Sequence, residues 1–170
     1  MTATKQATTQ VYRVYIKATP QAVWDAITKP EWTNRYGYGG FVEFDMRPGG
    51  AYRALAPDEM KRAAEAMGSP SPDVIVDGEV IEADPPRRLV QTWRLLMDPE
   101  IAAEGFSRLT YEIEESQGGA RLTVTHDVEG MPRLAVLVGG LREAEGAGGG
   151  WPWVLSDLKT VLETGTRIAG

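Results

Sequence analysis

The sequence predicts an α+β fold: a curved antiparallel β-sheet wrapped around one long C-terminal α-helix. Three observations carry the prediction. From Trp151 to Thr164, apolar side chains at Trp151, Val154, Leu155, Leu158, Val161 and Leu162 fall on one helical stripe. Nearly everything before that stripe alternates with period two or breaks into turns, the pattern of half-buried strands. Neighbouring strands follow one another across short turns, so antiparallel hairpins fit and parallel β-α-β units do not.

Taken in order, residues 1–9 are small and polar and read as a flexible tail, with 10–170 as a single domain. Gln10–Lys17 alternates, with Tyr12, Val14 and Ile16 on one face. Thr19-Pro20 starts a helix, Thr19 as the N-cap and Pro20 at the first helical position, and Val23, Trp24 and Ile27 face the core. Pro30 stops that helix, and Glu31–Arg35 reads as a second short turn of helix. After the glycine-tyrosine loop Tyr36–Gly40, Phe41–Met46 and Ala51–Ala56 form a hairpin across Arg47-Pro48-Gly49-Gly50. Asp58–Met67 breaks the β pattern as a helix with Met60, Ala63, Ala64 and Met67 on one face, an insertion that runs to about residue 72.

Val74–Ala83 and Arg88–Met97 read as strands around Asp84-Pro85-Pro86, and Asp98–Gly105 as a connector with one helical turn. Phe106–Glu115 and Ala120–Val128 form another hairpin, with Leu109, Tyr111 and Ile113 on one face and Leu122, Val124 and His126 on the same side. Gly130–Gly150 reads as a mobile connector with some helix. The final helix carries Ser156, Asp157, Lys159, Thr160 and Glu163 on its other, solvated face, and Gly165 stops it.

Composition excludes several function classes. With 170 residues, 42% hydrophobic and 25% charged, the chain is of globular type. There is no cysteine, hence no disulfide, thiolate metal site or cysteine nucleophile, which suits a reducing cytoplasm. The first residues lack the apolar core of a signal peptide, and no run approaches a membrane span. Net charge is −6 without a basic stripe, which argues against nucleic acid. A cytoplasmic protein is expected.

Five stretches, in order, resemble the START-like or SRPBCC superfamily. They are Ile16–Thr28; Phe44-Asp45-Met46-Arg47-Pro48-Gly49-Gly50; Gly78–Glu82 with Pro85–Leu89; Arg121–His126; and Gly150–Leu162. Within it, the chain is most similar to the subgroup resembling the activator of heat-shock protein 90 ATPase homologue. The resemblance implies a helix-grip fold, a sheet gripping the C-terminal helix with an apolar cavity between them. It implies little about chemistry, because members include lipid carriers, cyclase-type enzymes and a co-chaperone domain.

No catalytic constellation is legible. His126 is the single histidine. Alternation sets it inward and Asp127 outward, so the two form no dyad, and a structural or cavity-lining role is expected. No serine lies in a Gly-x-Ser-x-Gly setting. One histidine without cysteine makes no typical zinc site, and Glu43, Asp45, Glu112 and Glu114 read as solvated faces; no metal and no cofactor are expected. Gly148-Gly149-Gly150 follows no β-α-β strand and reads as a hinge or helix start.

The aromatic residues are the informative set. Tyr52, Trp93, Tyr111 and Trp151 point inward, either as core packing or as the wall of a cavity. Phe44, Tyr52, Trp93, Tyr111, His126, Trp151 and Leu155 are therefore the candidate ligand-binding residues. Met60, Met67 and Met131 fit either a cavity mouth or ordinary packing. The expected function is non-catalytic binding of a small apolar, lipid-like or aromatic molecule between sheet and helix. The alternatives are a cofactor-independent cyclase- or hydrolase-like enzyme, and a chaperone-ATPase activator or other protein-interaction role. A homodimer fits, dimers being the commonest assembly.

Overall fold

A computed structural model describes residues 8–168. Its strands are β1 (Thr9–Ile16), β2 (Phe41–Phe44), β3 (Ala51–Leu55), β4 (Val74–Asp84), β5 (Arg88–Leu95), β6 (Ser107–Ser116) and β7 (Gly119–Asp127). Its helices are α1 (Pro20–Thr28), α2 (Pro30–Thr33), α3 (Asp58–Ala66), α4 (Pro99–Ala102), α5 (Pro132–Val138) and α6 (Gly150–Thr164). The predicted tail lies mostly outside the described residues, and Thr9 already belongs to β1. The seven strands form one antiparallel sheet in the order β1-β7-β6-β5-β4-β3-β2. Every neighbour but one is a hairpin partner. The exception joins the first strand to the last, with Thr9 opposite Asp127 and Ile16 opposite Ala120. The curved sheet with α6 against it is the helix-grip arrangement.

Local chemistry sets the elements. The Thr19 hydroxyl accepts the Ala22 N–H at 3.1 Å, a cap worth ~1 kcal/mol, and Pro20 fits the first turn of α1. Val23, Trp24, Ala26 and Ile27 bury one side of that helix. They meet Ile16, Leu109, Leu122, Val124 and Leu158 in the main core. The far end of α6 is fastened to β1: Lys17 N–H donates to Glu163 Oε2 at 2.8 Å, and Lys159 Nζ to the Tyr15 carbonyl at 2.5 Å. Gly165 ends α6 in the left-handed region (φ 83°), its N–H donating to the Val161 carbonyl.

Four expectations change. Asp157 leaves the solvated face and is fully buried. The predicted apolar face of α3 is not a buried face: none of its residues is buried, Ala63 is exposed and Met67, at its end, is 84% exposed. Only Met60 and Ala64 turn partly inward, so this insertion lies over the sheet end rather than in the core. The strand from Phe41 stops at Phe44, where the Asp45–Gly50 turn takes over. The connector after Gly130 holds a full helix, α5, that buries Leu134 and Val138 beside Ile101 and Val128, and then a 3₁₀ turn at Glu143–Glu145.

The three glycines before Trp151 do start the helix, and they are there for closeness. A Cβ on Gly150 (φ 62°) would lie 2.2 Å from the Val138 carbonyl oxygen, and one on Gly148 (φ 84°) would lie 2.3 Å from the Tyr38 hydroxyl. Only hydrogen at these positions lets α5, α6 and the 36–40 loop meet.

Candidate functional site

A pocket of about 620 Å³ separates the β2–β6 side of the sheet from the N-terminal half of α6. Alternation along the strands and helical phase along α6 turn large side chains toward one space. Phe44, Tyr52, Trp93, Tyr111, Trp151 and Leu155 all line it. Phe44 stacks on Tyr52 with ring centroids 4.7 Å apart, and Tyr111 meets Trp151 edge-on at 6.1 Å. The half-exposed lining residues Tyr38 and Met97 mark the mouth, beside Gly146 and Ala147. Met60 also lines the pocket, whereas Met67 and Met131 do not. The charged lining residues are Asp98 and Arg142, and both are engaged. Asp98 caps α4 by accepting the Glu100 and Ile101 N–H groups, and Arg142 pairs with Glu145 at 2.9 Å. The wall is therefore apolar and aromatic, with a few hydroxyls.

His126, the seventh candidate, does not line the pocket. It is completely buried behind Trp151, whose indole covers it. Trp151 Nε1–H donates to His126 Nδ1 at 3.1 Å, so Nδ1 carries no proton. The proton then sits on Nε2, which donates to Ser107 Oγ at 2.7 Å, and the Ser107 hydroxyl donates to the Trp93 carbonyl at 2.9 Å. Burial pushes the imidazole pKa down to about 4, against a small opposing pull from Asp127. A base whose acceptor nitrogen is filled by an indole, and whose other nitrogen already donates to the serine, cannot deprotonate that serine. This Ser-His pair is a structural one.

Asp157 makes a second buried network, in which the Arg167 Nε is left without a hydrogen-bond partner. Its Oδ2 accepts the Gly37 N–H at 2.8 Å and its Oδ1 the Ile168 N–H at 2.9 Å, with the Arg167 guanidinium 3.5 Å away. Arg167 also donates to the Gly37 carbonyl. One buried carboxylate thus ties α6, the 36–40 pocket loop and the residues after α6 together.

The tyrosines differ from both. Tyr36 donates to the Ala26 carbonyl at 2.9 Å. Tyr52 stands opposite Gly78 on β4 and is buried near Trp93 and Gln91 of β5. Burial drives the pKa of Tyr36, Tyr52 and Tyr111 upward, so all three stay neutral hydroxyls. Among the described residues no three His, Asp or Glu side chains gather for a metal. Glu112 and Glu43 pair instead with Arg88 and Arg53.

Sequence reasoning passed over Asp157, Ser107 and Gln91. Gln91 shares its strand phase with Leu89 and Trp93, and Ser107 shares its phase with Leu109, Tyr111 and Ile113, so alternation marks both as inward; no local signal marks Asp157.

The sequence pattern described as "Activator of Hsp90 ATPase homolog 1-like protein" matches residues 17–163. Among curated proteins none matches the chain. Several solved structures are similar in fold. A protein of Mesorhizobium loti is 21% identical over 91% of this chain and 96% of its own, with a TM-score of 0.63. An Aha1 dimer from Colwellia psychrerythraea is 15% identical over 94% and 98%, with a TM-score of 0.59. An HSP90 activator from Plasmodium falciparum is 18% identical over 72% and 74%, with a TM-score of 0.51. At these identities the likeness shows the fold alone.

Proposed function

The chain belongs to the Activator of Hsp90 ATPase homolog 1-like family, and from that premise and its pocket we propose that it binds a small apolar or aromatic molecule without transforming it. The observation that carries this reading is the 620 Å³ space walled by Phe44, Tyr52, Trp93, Tyr111, Trp151 and Leu155. Ligand pockets typically run ~300–1,000 Å³ with mostly apolar walls and a few polar groups. Binding would draw on apolar burial, ~25 cal/mol per Å². Turnover lacks support: the Ser107-His126 pair is closed off, and Asp98 and Arg142 are spent on local pairs. Among the described residues no helix is long and apolar enough to cross a membrane. A chain without cysteine suits the cytoplasm, the compartment in which this reading sets it.

Thermal unfolding against naphthalene-sized aromatics tests the proposal. A ligand at a hundred times its Kd should stabilise the fold by about 2.7 kcal/mol. Ala54→Phe, which fills the pocket from β3, should keep the fold and abolish that shift. No shift with any aromatic or lipid probe would sink the reading. A protein-directed role is the second reading. It is favoured by the neighbour described as an HSP90 activator and by Val11 and Tyr15, both more than half exposed on edge strand β1. Stimulation of a chaperone ATPase by the purified protein, unaffected by Ala54→Phe, would support it instead.

A further inference from the structure

One stretch of the pocket wall is anchored at its neck and nowhere in the core. Arg142, Gly146, Ala147 and Gly148 line the pocket, and all four belong to the loop between α5 and α6. The ends of that loop touch. A Cβ on Gly140 (φ 79°) would lie 2.4 Å from the Gly149 carbonyl oxygen, and one on Gly150 would lie 2.5 Å from the Gly140 nitrogen. The neck is packed into the protein, with Val138, Gly149 and Gly150 buried. From 141 to 148 no residue is buried, and Leu141, the largest apolar side chain there, is 78% exposed. Hydrogen bonding stays local as well. Glu143 N–H donates to the Gly140 carbonyl, Gly146 N–H to that of Glu143 and Ala147 N–H to that of Arg142, while Arg142 pairs with Glu145. Among the described residues, no hydrogen bond runs from 142–148 to the body of the protein. Across the mouth the loop rests on a half-exposed side chain: a Cβ on Gly148 would be 2.3 Å from the Tyr38 hydroxyl.

We propose that residues 141–148 are the lid of the pocket, swinging as one piece about Gly140 and Gly149, off Tyr38, to admit and release the ligand. The proposal rests on the pocket being a binding site. A compact loop with touching ends and its own internal bonds moves as a unit, and its neck is where backbone angles change. The rest of the rim is held. The 36–40 loop is tied to Asp157 through the Gly37 N–H at 2.8 Å, and the α4 side is fixed by the Asp98 cap and by buried Ile101. The lid has neither a tie nor a core residue, so opening it breaks the Tyr38 contact and uncovers little apolar surface of its own. The Arg142–Glu145 pair travels with it, and no ion pair is broken. α5, α6 and the sheet stay where they are.

Trp93 and Trp151 line the pocket, so energy transfer from tryptophan to bound N-phenyl-1-naphthylamine times entry and, on dilution, release. Two variants remove the lid in different ways. In one, Asn-Gly replaces residues 141–148, because ends this close can be joined by a two-residue turn. In the other, Tyr38→Ala takes away the rest on which the loop lies, and it reports even if the loop replacement fails to fold. An open state populated at about 0.1–10% gates the native pocket, so release should be about tenfold or more faster in both variants. Association should accelerate too, which loss of a contact alone does not produce. A second readout needs no ligand: in the native protein the amides of 142–147 should exchange with solvent together, far ahead of those of 154–161 in α6. Native rates in both variants, or faster release with unchanged association, overturn the lid and leave the binding function standing. Exchange of 142–147 as slow as that of α6 does the same. If the native protein takes up no probe, both readings fall.

Discussion

His126 and Tyr52 lie buried on the same side of one sheet, yet their surroundings are completed differently. Around His126 each hydrogen has an acceptor: indole to Nδ1, Nε2 to Ser107, Ser107 to the Trp93 carbonyl. Tyr52 faces the pocket instead, and the Gln91 Oε1 on the neighbouring strand is buried without a hydrogen-bond partner. Packing repeats the contrast. Under β1 and most of β7 the space is filled by α1 and by Leu158 and Val161 of α6, whereas under β2 to β6 the same helix leaves a pocket. A closed network and a solid core hold the protein together at one end; the other end keeps unfilled space, which a folded state gains nothing from by itself.

Breaking the closed side should have the largest effect. Asp157→Ala removes a buried carboxylate that holds two backbone N–H groups and a guanidinium. A loss of ~3–5 kcal/mol in urea unfolding is expected, since breaking a buried pair strands its partners. A loss below about 1 kcal/mol would show that the network holds nothing. Acid comes next. The folded His126 has a pKa of about 4, below the usual 6.5. Below pH 6.5 the unfolded chain therefore takes up a proton that the folded chain refuses. Stability is full above that pH and declines as pH falls toward 4, by roughly 3 kcal/mol in all. His126→Gln should flatten the decline between pH 6.5 and 4.5, where most carboxylates are still ionised. An unchanged slope would place the acid sensitivity elsewhere. Smallest is the open side: Tyr111→Phe breaks no protein hydrogen bond and should shift stability by less than about 0.5 kcal/mol. A larger loss would mean that its hydroxyl is satisfied after all and that the contrast between the two ends is weaker than drawn.

Much of this was legible in the residues because periodicity reports direction. Strand alternation turned Tyr52, Trp93 and Tyr111 inward, and helical phase did the same for Trp151 and Leu155. Periodicity does not report depth. His126 points the right way and still misses the pocket, because the Trp151 indole lies in front of it. Nor does it reveal a polar residue made internal by distant chain. Asp157 sits among Ser156, Lys159 and Thr160, all polar, and is buried by Gly37, Arg167 and Ile168, whose approach no local pattern announces. The helical insertion misled in the opposite sense: its alanines and methionines make a good helix without a face to bury.

The pairing of β1 with β7 also orders events in time. Most of the sheet can zip up hairpin by hairpin as the polypeptide emerges from the ribosome, but Thr9 has no partner until Asp127 has been made. Through most of synthesis the first strand is an orphan with Tyr12, Val14 and Ile16 uncovered. Arg13 and Lys17, interleaved with those residues, are charges of the kind that discourage such a strand from pairing with a neighbouring nascent chain. α6, made last, then closes over a sheet that is only at that moment complete.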